Sequence, residues 1–260
     1  PDTFVAEAKE IAKTKNMSIK IFDKAAMKNM GAGCFCGVAQ GGDSPSYMII
    51  LEYRRFKKQA PLALVGKGVT FDTGGISIKP SAKMMEMKMD MAGAAAVLGA
   101  MYAVSKLQPS ENVVGIMVVT ENMPSGHAYT PGDILTALNG KTVEVNSTDA
   151  EGRLILADAL TYTAREYQPD MMVDLATLTG ACLIALGHTR AGLMSNHQPS
   201  ADRVLQAAEK AGELYWQLPT DKAYKKLLKS KYADLLNNST QAIAGTVTAA
   251  VFLQEFVEGC

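Results

Sequence analysis

The chain has 260 residues and balances 26 Lys plus Arg against 26 Asp plus Glu, so its formal net charge is zero. Neutrality removes the electrostatic footprint of a non-specific nucleic-acid binder, and no run approaches the roughly 18 apolar residues that cross a membrane. With 48% hydrophobic residues, the chain can bury a sizeable core without disulfides. Cys34, Cys36, Cys182 and Cys260 form no disulfide framework, which points to a reducing, intracellular setting.

In chain order, residues 2–15 read as an amphipathic, charged helix and not as a signal peptide. Residues 18–22 read as a strand, followed by a helix and a glycine-rich loop holding Gly31, Gly33, Gly37, Gly41 and Gly42. Residues 47–53 are a strand, and 61–65 a short apolar one of the kind buried on both faces. The small, apolar stretch 92–107 is a closely packed helix, and 113–120 another buried strand. Residues 134–138 and 142–145 flank the turn Asn139-Gly140 as a hairpin-like pair. A helix over 154–167, a strand over 171–175 and a helix over 178–186 follow. Helices over 201–212 and 222–230 precede a polar, mobile stretch at 237–245 and a last helix over 246–257. This alternation predicts an α/β fold, with a mixed, largely parallel central sheet sandwiched between helices, in one domain over 1–260. Ligands of such sheets sit beyond the carboxyl ends of the strands. The loops after Val65, Thr120, Val145 and Leu175 are therefore the places to look.

Three polar clusters fall there. Lys67, Asp72 and Lys79 are spaced among Gly66, Gly68, Gly74 and Gly75, where glycine lets backbone approach a ligand. The G-x-x-x-x-G-K-[ST] spacing of a P-loop is absent. Asp90 stands among Met84, Met85, Met87, Met89 and Met91 at the mouth of an apolar helix, as a cap or as a partner of a buried group. Asp149 and Glu151 are two apart, which on an extended segment turns both to one side. Arg153 then opens a helix whose first turn favours an anion. Four carboxylates at one site repel strongly, and two divalent cations neutralise them. Oxygen-rich ligands without His or Cys suit Mn²⁺, Mg²⁺ or a co-catalytic Zn²⁺ pair, and the absence of H-E-x-x-H excludes a zincin. The bare carboxylates also allow a two-metal phosphoryl hydrolase. The methionine cluster reads as packing and not copper binding. Cys34 and Cys36 lack a second ligand pair for zinc. His127, His188 and His197 are isolated, and the lysines of 222–231 form a solvated face.

The K-x₄-D-x₆-K spacing of residues 67–79, Asp90, and the octapeptide Ser147-Thr-Asp-Ala-Glu-Gly-Arg-Leu resemble the leucyl aminopeptidases, cytosolic two-metal exopeptidases. So do Asn122-Met-Pro-Ser-Gly, Pro131-Gly-Asp and Ala176-Thr-Leu-Thr-Gly-Ala, and the resemblance covers essentially the whole chain. It implies that Asp72 and Glu151 bridge two divalent ions, Zn²⁺, Mn²⁺ or Mg²⁺. Lys67, as a neutral amine, and Asp90 would complete the tight site, and Asp149 the exchangeable one. Lys79 would stabilise the oxyanion, while Arg153 would hold bicarbonate as general base for the metal-activated water. Met87, Thr177 and Gly180 would line the pocket for an apolar first side chain, preferably Leu. Thr177 and Leu178 would offer carbonyls to a peptide with a free N-terminus. The resemblance further implies a cytoplasmic homohexamer with no nucleic-acid or membrane partner, and a catalytic domain here without the family's N-terminal domain and closing segment. One departure stands inside the octapeptide: the family usually has Asn where this chain has Ser147. A non-catalytic relative serving as a scaffold is the alternative from another class. The presence of all seven matched residues (Lys67, Asp72, Lys79, Asp90, Asp149, Glu151 and Arg153) argues against it.

Overall fold

Along Tyr47–Tyr53 successive side chains leave the backbone on opposite sides and meet different helices. Ile49, Leu51 and Tyr53 join Phe4, Ala8, Ile11, Ala94, Val97 and Met101 in one apolar layer. Met48 and Ile50 join Phe35, Leu154, Leu156 and Phe252 in the other. Each of these larger side chains contributes about 1.5–3 kcal/mol on full burial, and two covered faces make an α/β sandwich. The computed structural model describes residues 1–260.

The elements run α1 (Asp2–Ala12), β1 (Met17–Asp23), α2 (Lys24–Met30), α3 (Gly33–Ala39), β2 (Tyr47–Tyr53), β3 (Leu62–Asp72), α4 (Ala92–Leu107) and β4 (Val113–Asn122). They continue with β5 (Ile134–Thr136), β6 (Thr142–Glu144), α5 (Glu151–Tyr167), β7 (Met171–Leu175), α6 (Gly180–Leu186), β8 (Ala191–Leu193), α7 (Gln198–Ala211), β9 (Tyr215–Gln217), β10 (Leu235–Leu236) and α8 (Gly245–Leu253). The central sheet has the order β1-β2-β4-β3-β7. Only β2 runs against the other strands, as its antiparallel pairing to β1 and β4 requires. A second sheet has the order β10-β6-β5, with β5 against α3, and β8 pairs with β9. No helix is long and apolar enough to cross a membrane.

Several elements depart from the sequence reading. Strand β3 does not stop at Val65 but carries on through Lys67 to Asp72, so Lys67 lies in the sheet and not in a loop. Its glycines look like turn residues, yet Gly66 serves packing: a Cβ there would lie 2.6 Å from the Cα of Ala94 on α4. The glycine-rich stretch near residue 33 contains the buried helix α3, whose third residue donates its amide to the Asp158 carboxylate at 2.8 Å. Helix α5 begins at Glu151, three residues ahead of the expected start, and is buried over most of its length between β3 and β4 on one side and α3 and α8 on the other. Residues 222–228 form a 3₁₀ segment, not an α-helix. The stretch expected to be mobile begins with Asn237, which is completely buried.

Candidate metal centre

The carboxyl ends of the parallel strands and the start of α5 converge on one cluster. Lys67 reaches it from within β3, and its Nζ stands 2.7 Å from Asp90 Oδ2 and 2.8 Å from Glu151 Oε1. It donates hydrogen bonds at 2.9 Å to Asp90 Oδ1 and to the carbonyl of Thr177. The two ion-paired oxygens, Asp90 Oδ2 and Glu151 Oε1, are buried and lie off the hydrogen-bonding directions of any donor. Lys67 can enter because residue 152 is glycine: a Cβ there would sit 2.6–2.8 Å from the end of the lysine chain.

Asp72 terminates β3 after a register shift between Val69 and Asp72, which sets it opposite Asn122 at the end of β4. Asn122 Nδ2 and the Gly74 amide donate to Asp72 Oδ1 at 2.8 and 2.9 Å. Lys79 Nζ pairs with Asp72 Oδ2 at 2.7 Å and also with Asp149. Asp149 lies in a turn and Glu151 in the first turn of α5, so the two are not neighbours on an extended segment as the sequence suggested. Oxygens of Asp72, Asp149 and Glu151 still lie within 4.8 Å of one another.

Asp90 does not cap α4. The residue flanking that helix is Met91, with no side-chain cap. The Asp90 carboxylate turns instead to Lys67 and to the Thr177 hydroxyl, which donates to it at 2.8 Å. Met87, on the 3₁₀ segment Met84–Met89, and Leu178 are half-buried; Thr177 and Gly180 are exposed beside them. Leu178 leans on the larger apolar layer. His127, His188 and His197 are exposed, outside the cluster.

Electrostatics follow from burial and proximity. Burial pushes the Glu151 carboxyl up to about 8, with Lys67 pulling it down and Asp72 and Asp90 pushing it further up. Burial likewise raises Asp90 against Lys67, and raises Asp149 against Lys79. For Lys67 burial works downward, but Glu151 and Asp90 outweigh it and hold the ammonium above its ordinary value. Lys79 behaves the same way between Asp149 and Asp72. Burial lowers the Arg153 guanidinium to about 10. Its Nη1 donates to the Asn237 carbonyl at 2.9 Å, and its Nε has no partner. The carboxylates therefore face two cationic points, one at Lys67 and one at Lys79, with oxygen atoms directed at each. An all-oxygen set plus one amine, partly without hydrogen-bond donors, is chemistry that suits divalent cations.

Sequence reasoning gave no role to Asn122, Tyr129, Thr148 or Asn237. Asn122 Nδ2 and Tyr129 OH both donate to the Thr148 carbonyl, at 3.0 and 2.8 Å. Thr148 Oγ1 in turn donates to the Gly74 carbonyl at 2.6 Å, tying the two ligand-bearing loops together. An Asn ending a buried strand is the one signal that could have pointed to Asn122.

An α/β sandwich with an acidic, lysine-flanked cluster at its strand ends defines the class, and comparison with known proteins gives the family. The chain belongs to the cytosol aminopeptidase family, whose catalytic domain it matches over residues 1–260. It is 50% identical to a probable cytosol aminopeptidase of Methylibium petroleiphilum over 257 residues, covering 98% of this chain and 53% of the relative. A protein of the same description from Alkaliphilus oremlandii is 50% identical over 260 residues, covering all of this chain and 52% of the relative. Another from Aeromonas hydrophila is 48% identical over 259 residues, covering 99% and 51%. The chain thus spans about half the length of these relatives.

Proposed function

We propose that this chain is the catalytic domain of a metal-dependent aminopeptidase that removes N-terminal residues, preferably Leu and similar apolar ones, from peptides. The observation that carries the reading is the convergence of Asp72, Asp149 and Glu151 within 4.8 Å, flanked by the Lys67–Asp90 pair. Asp72 and Glu151 would be shared by two divalent ions, Zn²⁺, Mn²⁺ or Mg²⁺. Asp90 and Lys67, the latter after giving up the proton that Asp90 and Glu151 hold on it in the metal-free protein, would complete the buried position, and Asp149 the more open one. When bound, such ions polarise a carbonyl and lower the pKa of water.

The remaining work falls to side chains of this chain. Asp90 offers a carboxylate to a substrate α-ammonium, which an internal peptide nitrogen cannot match, and this favours exopeptidase action. Lys79, kept charged by Asp149 and Asp72, is a donor for the oxyanion that develops at the scissile carbonyl. Arg153, with its Nε free of protein partners, would hold bicarbonate as the general base. Met87 supplies an adaptable apolar wall for the first side chain, with Thr177, Leu178 and Gly180 around it. A cytoplasmic homohexamer belongs to the same proposal. The exposed apolar side chains Ile78 and Met85 are surface that such an assembly would cover.

The test is a substrate panel: Leu-p-nitroanilide, its N-acetylated form and a phosphate ester. The reading expects turnover of the first alone, lost in Asp149→Ala and Glu151→Ala. Persistent Leu-p-nitroanilide turnover in either variant, or preference for the ester, would sink it.

A further inference from the structure

Asn237 sits completely buried at the rim of this cluster, and every polar atom of its side chain is used on one loop. Its Oδ1 accepts from the amides of Asn146 and Ser147, at 2.8 and 3.3 Å. Its Nδ2 donates to the carbonyls of Ser147 and Ala150, at 2.7 and 3.4 Å. That loop carries Asp149, whose carboxylate hydrogen-bonds and ion-pairs with Lys79 alone. The backbone carbonyl of Asn237 is the acceptor for Arg153 Nη1. Topology delivers it there: β10 pairs in parallel with β6, and the Asn237 amide continues that ladder by donating to the Glu144 carbonyl at 2.9 Å.

We propose that Asn237 is a positioning residue of this site, which fixes the Asp149 loop and the Arg153 guanidinium in one mutual geometry. The inference rests on the aminopeptidase reading for the roles of Asp149 and Arg153. Two amide protons facing carbonyls and one carbonyl oxygen facing amides is a pattern only a carboxamide satisfies. An aspartate would keep the two bonds it accepts, but would set unprotonated oxygen against the carbonyls of Ser147 and Ala150. An alanine would remove all four of these bonds and leave the loop held through Thr148. Without the carboxamide, the Ser147 and Ala150 ends of the Asp149 turn lose their shared anchor and only the Thr148 bonds hold the turn. Groups that orient ligands in this way cost about 10- to 100-fold in metal affinity or activity when removed.

The experiment compares Asn237→Asp and Asn237→Ala with Asp234→Ala in the intact protein. Asp234 holds the same β10–β6 flank by accepting from Thr142 N and Oγ1, at 2.8 and 2.7 Å, but touches nothing in the cluster. Three quantities are read: the melting temperature, kcat and KM for Leu-p-nitroanilide, and Mn²⁺ binding to the metal-stripped protein by calorimetry. The Asn237 variants should lose about 10- to 100-fold in kcat with KM little changed, and should bind Mn²⁺ more weakly at one of two sites. Asp234→Ala should melt lower while keeping wild-type kcat and Mn²⁺ affinity. If Asn237→Ala does not fold, the isosteric Asn237→Asp decides alone. Wild-type kcat and Mn²⁺ affinity in Asn237→Asp would overturn the proposal, as would equal losses in Asp234→Ala, which would make the role purely structural. A wild-type protein inert toward Leu-p-nitroanilide would instead overturn the aminopeptidase reading, and the Mn²⁺ titration would then judge Asn237 by itself.

Discussion

The cluster has two halves built from the same chemistry, a lysine between two carboxylates. In the inner half, Lys67 lies between Asp90 and Glu151, with 3% of the lysine side chain and 2% of Glu151 exposed. In the outer half, Lys79 lies between Asp72 and Asp149, with 22% of Lys79 and 38% of Asp149 exposed. The inner half is mounted on a central strand, the end of the 3₁₀ segment and a helix start, with all three side chains buried. The outer half is mounted on the last residue of β3, the 73–79 loop and the 146–150 turn, held by the hydrogen bonds of Asn122, Thr148 and Asn237. The same ion-pair motif is therefore part of the fold in one half and can adjust in the other.

The largest expected effect comes from Lys67→Ala. Removing the only cation between two buried carboxylates costs on the order of 3–5 kcal/mol, read as a shift in denaturant unfolding of the metal-free protein. Lys79→Ala breaks the symmetry: solvent screens Asp149 and Asp72 keeps the Asn122 and Gly74 donors, so the stability loss should be smaller than for Lys67→Ala. Its turnover, however, should fall about 100- to 1000-fold with the loss of an oxyanion donor. If the two lysine variants lost stability equally, the distinction between the halves would fail. Gly152→Ala sharpens it further. The added methyl meets Lys67 at 2.6–2.8 Å and should destabilise by about 1–3 kcal/mol through overpacking, disturbing the inner half without changing any charge. Calorimetric melting of that variant checks the value.

The pH-dependent counterpart is Asp158, another buried carboxylate of α5, which is answered by backbone amides and not by cations. The amides of Phe35 and Leu138 donate to it at 2.8 and 2.7 Å. Burial pushes its carboxyl up to about 7 against those donors. Between the ordinary value of about 3.9 and this one, the folded chain holds a proton that the unfolded chain has released. The stabilisation is thus full below about pH 4 and fades as pH rises through about 7. Asp158→Asn should reduce that slope, leaving the part that Glu151 contributes. Unfolding curves from pH 4 to about 8 for both proteins test this, and a slope identical in the two would refute it.

What could be read from the sequence follows the same division. Strands β2 and β7 and helix α4 have the bounds expected from their apolar patterning. The extent of β3 past Val65 was hidden, since Gly66 and Gly68 serve close contact with α4 while looking like turn residues. Helix α3 was hidden for the same reason, with Gly33 and Gly37 pressed against Thr136 and Leu135. The ligand-type residues were legible because Lys67, Asp72, Asp149 and Glu151 fall in dense polar motifs. Asn237 was not, because its meaning depends on a parallel pairing with β6 across 90 residues of intervening chain.

The central claim is that these carboxylates and Lys67 hold two divalent ions that make the site an aminopeptidase. The most direct measurement strips the intact protein with a chelator and returns Mn²⁺ or Zn²⁺ stepwise, following bound metal and Leu-p-nitroanilide turnover together. The account predicts two equivalents bound, loss of turnover on stripping and recovery as the sites refill. Turnover that survives complete stripping, or that no divalent metal restores, would contradict it.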